Sequence, residues 1–223
     1  MEALELLQDV SSSLEFPVLA TSDVVNGVFS VDNTYYLRKG SRIDLNGTWY
    51  NIKDVNDLVI TLTSYSLNLP LPTVALQLPY FTHGTANMQN NEWTQRKTDS
   101  DKYPTIYARE IIREVEYPGN FGNILERESA VVLYFIDVAN SDKWTTDQHY
   151  EIVIPNLKSI VSEFKNRLLK NNRSGKIENF ERINRVNLGV YSDNKGNTSA
   201  IFNDRISAIE LGFTLPIYKN QIC

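Results

Sequence analysis

Cysteine and histidine are scarce in this chain of 223 residues: one cysteine, Cys223, and two histidines, His83 and His149. A lone cysteine forms no intrachain disulfide, and a reducing compartment is the expected setting. The histidines stand in no HxxxH or HxH spacing and have no cysteine pair beside them. No metal and no cofactor is therefore expected. Phosphate-loop and nucleophile-turn motifs are also missing. Ser-Gly-Lys-Ile at 174–177 lacks the upstream glycine and the following Ser/Thr of a Walker loop, and no GxSxG occurs. No stretch approaches the roughly 18 apolar residues of a membrane helix. Residues 1–30 carry no basic stretch followed by a continuous apolar core, so neither a signal peptide nor a membrane partner is expected. The formal net charge of −5 disfavours a general nucleic-acid binder but leaves room for a local basic face.

What is present reads as two modules. Leu4, Leu7, Val10 and Leu14 keep helical spacing, giving a short amphipathic helix that must dock on something. From Phe16 the pattern changes to short strand-like runs, "VFSVDNTYYL", "SRIDLNGTWYNI" and "LVITLT", separated by turn residues. Asn46-Gly47 is the strongest local signal, because a two-residue type I′ hairpin turn needs positive φ at both positions. Residues 16–64 are expected to form a small antiparallel barrel or sandwich. The stretch 65–103 begins proline-rich ("NLPLPTVALQLPYF") and continues polar and aperiodic, which predicts an extended linker or arm.

After Tyr103, "PTIYAREIIREVEY" is expected to be strand, and "SAVVLYFIDV" (129–138) is apolar on both faces, as a central strand must be. A helix follows, with Tyr150, Val153, Leu157, Ile160, Val161, Phe164 and Leu168 at helical spacing for about five turns. Thr145 or Thr146 is its expected N-cap, and Pro155 predicts a kink or a restart. "RVNLGVYS" and "AIELGFTLPIY" alternate as strands do, the second with Ile209, Leu211, Phe213, Leu215 and Ile217 on one face.

Three groups of residues are candidate sites. Asp137, Asp142, Asp147 and His149 gather where a strand hands over to the helix. An Asp–His pair there can serve as base and orienter or as two metal ligands. Equally, Thr146 and Asp147 can simply cap a helix, with Asp137 ending a strand. A basic tract at 158–185 includes Lys158, Lys165, Arg167, Lys170, Arg173 and Lys176. It is either a solvated helix face or a contact for nucleic acid or an acidic protein surface. Trp93 and Trp144 lie in segments read as loops, with Tyr80 and Phe81 just before the first. Such tryptophans either tuck back onto their own domain or anchor a partner.

The order from "YPTIYARE" through "VVLYFIDVANSDKWTTDQHY" and the long helix to "IFNDRISAIELGFTLPI" resembles the tail-completion or tail-terminator family of tailed bacteriophages. "LRKGSRIDLNGTWYNIKDV" is similar to the small β-barrels of head-closure or stopper proteins. A chain with both modules looks more like the connector-ring proteins in the neck of crAss-like phages, podovirus-like phages that infect gut Bacteroidetes. The resemblance implies an α+β fold: an N-terminal helix and small antiparallel β-barrel (1–64), a linker or arm (65–103), and an α/β sandwich (104–223). In the sandwich an antiparallel or mixed sheet carries helices on one face. It implies a non-enzymatic ring subunit of the virion neck, assembled in the host cytoplasm. The implied partners are further copies of itself in a six-fold or twelve-fold ring, the portal, neighbouring ring proteins, and genomic DNA passing through the channel. The alternatives are a nucleic-acid-binding adaptor using the basic tract, or a small hydrolase or metal enzyme at Asp137/His149.

Overall fold

The computed structural model describes residues 3–64, 66–110, 113–118, 124–139, 144–192 and 198–218. It is an α+β protein of two compact units. The smaller comprises residues 15–78 with 98–101, and the larger comprises 1–14, 79–97 and 102–223.

In the smaller unit, β1 (Val28–Ser30), β2 (Arg42–Leu45), β3 (Thr48–Asn56), β4 (Val59–Leu62) and β5 (Val74–Leu76) form one antiparallel sheet in the order β1-β4-β3-β2-β5. Residues 19–25 bridge to both ends of this sheet. Ala20 pairs with Val31 and Val25 with Val28 on the β1 side, while Leu19 pairs with Thr73 and Val24 with Leu69 on the β5 side. The sheet therefore curls toward a closed barrel around Phe29, Ile43, Leu45, Ile52, Ile60 and Leu62, all buried. Asn46 and Gly47 take φ of 54° and 84°, as the I′ turn between β2 and β3 requires. The Asn46 side chain also accepts the Thr73 N–H at 2.8 Å, tying the turn to the strand beyond.

The larger unit contains α1 (Ala3–Ser12), β6 (Tyr80–Gly84), α2 (Ala86–Gln95), β7 (Thr105–Arg109), β8 (Glu114–Pro118), β9 (Ile124–Val138), α3 (Thr146–Lys170), β10 (Glu181–Arg185), β11 (Val190–Ser192), β12 (Thr198–Ala200) and β13 (Ile206–Tyr218). Its main sheet runs β10-β13-β9-β7-β6, with β8 on the free part of β9; among the described residues only β6 and β7 pair in parallel. All 13 residues of β13 pair with β9. Successive side chains point to opposite faces of a strand. Phe135 of β9 and Ile209 and Leu211 of β13 thus face α3, where Phe135 meets Phe164 edge-on with ring centroids 5.4 Å apart. Ile136, Ile206 and Ala208 face the other way, onto Trp93 of α2. Helices α1 and α3 contact each other, and α2 forms a small layer on the opposite face.

Three expectations change. The N-terminal helix groups with the larger unit, where it packs on α3 and β6, so the barrel is an insertion between α1 and β6. Residues 65–103 are not an arm. Up to residue 78 they belong to the smaller unit, Tyr80–Gly84 and Ala86–Gln95 form β6 and α2, and residues 98–101 group again with the smaller unit. Trp93 is accordingly no exposed anchor. It is 1% exposed, packed against Tyr103 and Phe202 with centroids 5.4 and 5.2 Å away. The proline-rich run is extended as expected, but its partners are within the chain: β5 pairs with β2. Helix α3 runs through Pro155 without a restart.

Because Trp93 fills the space under α2, Trp93→Ala is expected to lower the unfolding free energy by about 3–5 kcal/mol, as large-to-small core changes do. Urea denaturation followed by circular dichroism measures it. A loss below about 1 kcal/mol would mean that the ring does not sit in the core as described.

Candidate functional site

The polar handover after β9 is built from three elements. Thr145 and Gln148 make a capping box at the start of α3. The Gln148 N–H donates to Thr145 Oγ1 at 3.4 Å, and the Thr145 N–H donates to Gln148 Oε1 at 2.9 Å. Asp147 is exposed in the first turn, at the positive end of the helix dipole. His149 is on the opposite side of that turn and is buried, its Nδ1 2.9 Å from Ser207 Oγ of β13. Ser207 also accepts the Asn187 N–H at 3.4 Å. Directly across the sheet from Ser207 stands Asp137, buried as well, whose Oδ1 accepts the Val138 N–H at 2.7 Å. Trp144, half-buried, presents its ring edge-on to the imidazole at 5.5 Å. Asp142 lies outside the described residues.

A serine, a histidine and an aspartate thus come together from positions distant in sequence. Sequence reading singled out Asp137 and His149 but not Ser207, which is one polar residue within an apolar alternation. Nucleophilic chemistry needs the serine hydroxyl open to a substrate, yet Ser207 is 0% exposed and Asp137 and His149 are each 1% exposed. His149 Nε2 is buried with no hydrogen-bond partner among the described residues. Burial pushes the imidazole pKa down from its ordinary value, which keeps the ring neutral. What this geometry does is fasten the first turn of α3 to β13. Among the described residues no group of three or more His, Cys, Asp or Glu side chains is placed to hold a metal.

The basic tract is partly neutralised within the chain. Arg167 Nε lies 2.6 Å from Glu163, Arg173 Nη1 lies 2.9 Å from Asp9, and the Lys165 ammonium sits 4.6 Å above the Phe180 ring. Lys158, Lys170 and Lys176 remain exposed. Tyr80 and Phe81 are half-buried on edge strand β6, and the Arg96 guanidinium covers the Tyr80 ring at 4.7 Å.

Sequence reading also missed a cleft of about 310 Å³ at the start of α2. Its wall holds Tyr107 and Tyr134, stacked with centroids 5.8 Å apart, together with Arg109 and Phe202. Tyr107 donates to the Gly84 carbonyl at 2.7 Å, and burial pushes its hydroxyl up to about 12. Burial also raises Tyr134. At the rim Gly189 has φ +76°, and a Cβ there would approach Phe202 to 2.6 Å, so only glycine fits. No protein-family model matches this chain, and no curated protein matches it significantly.

The buried imidazole makes a signed prediction. With the folded-state pKa below the unfolded value of about 6.5, the unfolded chain binds the extra proton first as pH falls. The contribution of His149 to stability is therefore complete above about pH 6.5. It declines below that at up to about 1.4 kcal/mol per pH unit, until the folded-state pKa is reached. Denaturant unfolding from pH 7.5 to 5 should show a steeper loss for the wild type than for His149→Gln. Equal slopes would mean that His149 titrates as in the unfolded chain.

Proposed function

We propose that this protein is a structural subunit of a bacteriophage head–tail connector ring, joining portal to tail and forming part of the DNA channel. The observation that carries the reading is the element order of the larger unit. A two-stranded excursion (β8, β9) leads to the capped helix α3 and the closing strand β13 paired along its whole length with β9. This is the order on which the resemblance to tail-completion proteins rests, and the small curled sheet supports the likeness to stopper barrels. The burial of Ser207, His149 and Asp137 favours a junction between elements over a reacting centre. Ion pairs inside the basic tract weigh against a dedicated nucleic-acid adaptor, though Lys158, Lys170 and Lys176 leave positive charge for DNA in transit.

On this reading the subunits make heterologous contacts that close by rotation, with six or twelve copies to the ring. The portal and adjacent neck or tail rings cover its two ends, and the protein resides in the virion after assembly in the host cytoplasm. Native mass spectrometry of the purified chain, alone and with its portal, tests this directly. A closed oligomer of six or twelve copies, free or on the portal, is expected. A monomer under both conditions contradicts the proposal.

A further inference from the structure

Beyond the reach of β7 and β10, the β9–β13 ribbon is bordered on each side by a short segment. Strand β8 lies along Ile124–Ser129 of β9. On the other side the chain leaving α3 meets the end of β13, through a Ser174–Ile217 bridge and a Gly175 N–H donated to the Pro216 carbonyl at 2.7 Å. The order there is residues 174–175, β13, β9, β8, and the two outer edges belong to one sheet.

The β8 edge is open. Ala130 N–H donates to the Arg113 carbonyl. In an antiparallel ladder the alternate residues 113, 115 and 117 then face β9, and Glu114 and Glu116 turn their N–H and C=O groups outward. No described strand pairs with that side. Glu114, Glu116 and Tyr117 are exposed, so little of β8 is covered on either face. An uncovered edge of this kind is a template for another chain.

The two edges also differ in charge. On the β8 side, the described residues 113–118 and 127–129 carry three carboxylates (Glu114, Glu116 and Glu128) against two guanidiniums, while residues 170–185 carry five cations against two carboxylates. A two-fold dimer through β8 would bring like charges together, whereas a head-to-tail contact joins unlike ones.

We propose that the acidic β8 edge of one copy docks along the basic 170–185 edge of the next, continuing the sheet from subunit to subunit. This rests on the ring reading and names its interface. Main-chain pairing supplies the attachment and the charge pattern sets its polarity.

The test is a charge exchange. Glu114→Lys with Glu116→Lys reverses one edge, and Lys170→Glu with Lys176→Glu and Arg182→Glu reverses the other. Circular dichroism checks that each variant folds. Should reversal unfold the chain, Glu114→Gln with Glu116→Gln is read in the same way. Sedimentation velocity at low salt is expected to show self-association weakened at least about tenfold in each reversed variant. The chain carrying both reversals should recover it, and so should an equimolar mixture of the two single-edge variants, whose copies alternate because every contact between them is again of unlike charge. Rings of wild-type strength from both reversed variants would overturn this interface while leaving the ring reading standing. A wild-type chain that never associates, alone or with its portal, would overturn the ring reading itself.

Discussion

The pairing of β9 with β13 along the whole of β13 is the constraint on which the larger unit depends. Once that register is set, the alternation of side chains decides both faces. Phe135, Ile209 and Leu211 receive α3 on one side, and Ile136, Ile206 and Ala208 receive Trp93 on the other. A slip of one residue would send every one of these groups to the wrong face. The strands are joined only after α3, β10 and the β11–β12 hairpin have been threaded between them, so the contact is strongly non-local and its closure entropy is substantial. The same ribbon, extended past its neighbours, carries the two edges of unlike charge. The core and the proposed assembly surface are two ends of one pair of strands.

The handover at Asp137 illustrates how a polar cluster serves packing. A buried imidazole near a helix N-terminus faces both desolvation and the positive end of the dipole, and both disfavour its charged form. Neutral His149 can still share a proton with Ser207, and this ties the first turn of α3 to β13. Its Nε2 without a described partner is the cost of that arrangement. The α2 layer is less well satisfied still: Thr82 Oγ1, both amide atoms of Gln89 and Trp93 Nε1 are buried without described partners.

Elements dictated by local pattern were legible in the sequence. The Asn46-Gly47 turn, the doubly apolar β9, the capped α3 and the alternating β13 follow from turn chemistry and periodicity. Asn26-Gly27, with φ of 52° and 74°, is a second turn of the same chemistry. Helix α2 was not readable. "ANMQNNEWTQ" is polar nearly throughout and buries only Gln89 and Trp93, so no amphipathic stripe announces it. Tertiary contact with Tyr103, Phe202 and the β6–β7 crossover decides its state. The destination of α1 was hidden for a related reason: an apolar stripe says that a helix docks, and not where. Ser207 beside His149, and Asp9 beside Arg173, are pairings that only the folded chain creates.

Residue-resolved hydrogen exchange is the most direct test of the claim that the β9–β13 pairing is the spine of the larger unit. The slowest amides should lie in Val131–Asp137 and Ser207–Phe213, with exchange quickening outward through β7 and β10 to β6, α2 and the open edge of β8. Exchange in those central segments as fast as in α2 or β8, while α3 remained protected, would contradict the account.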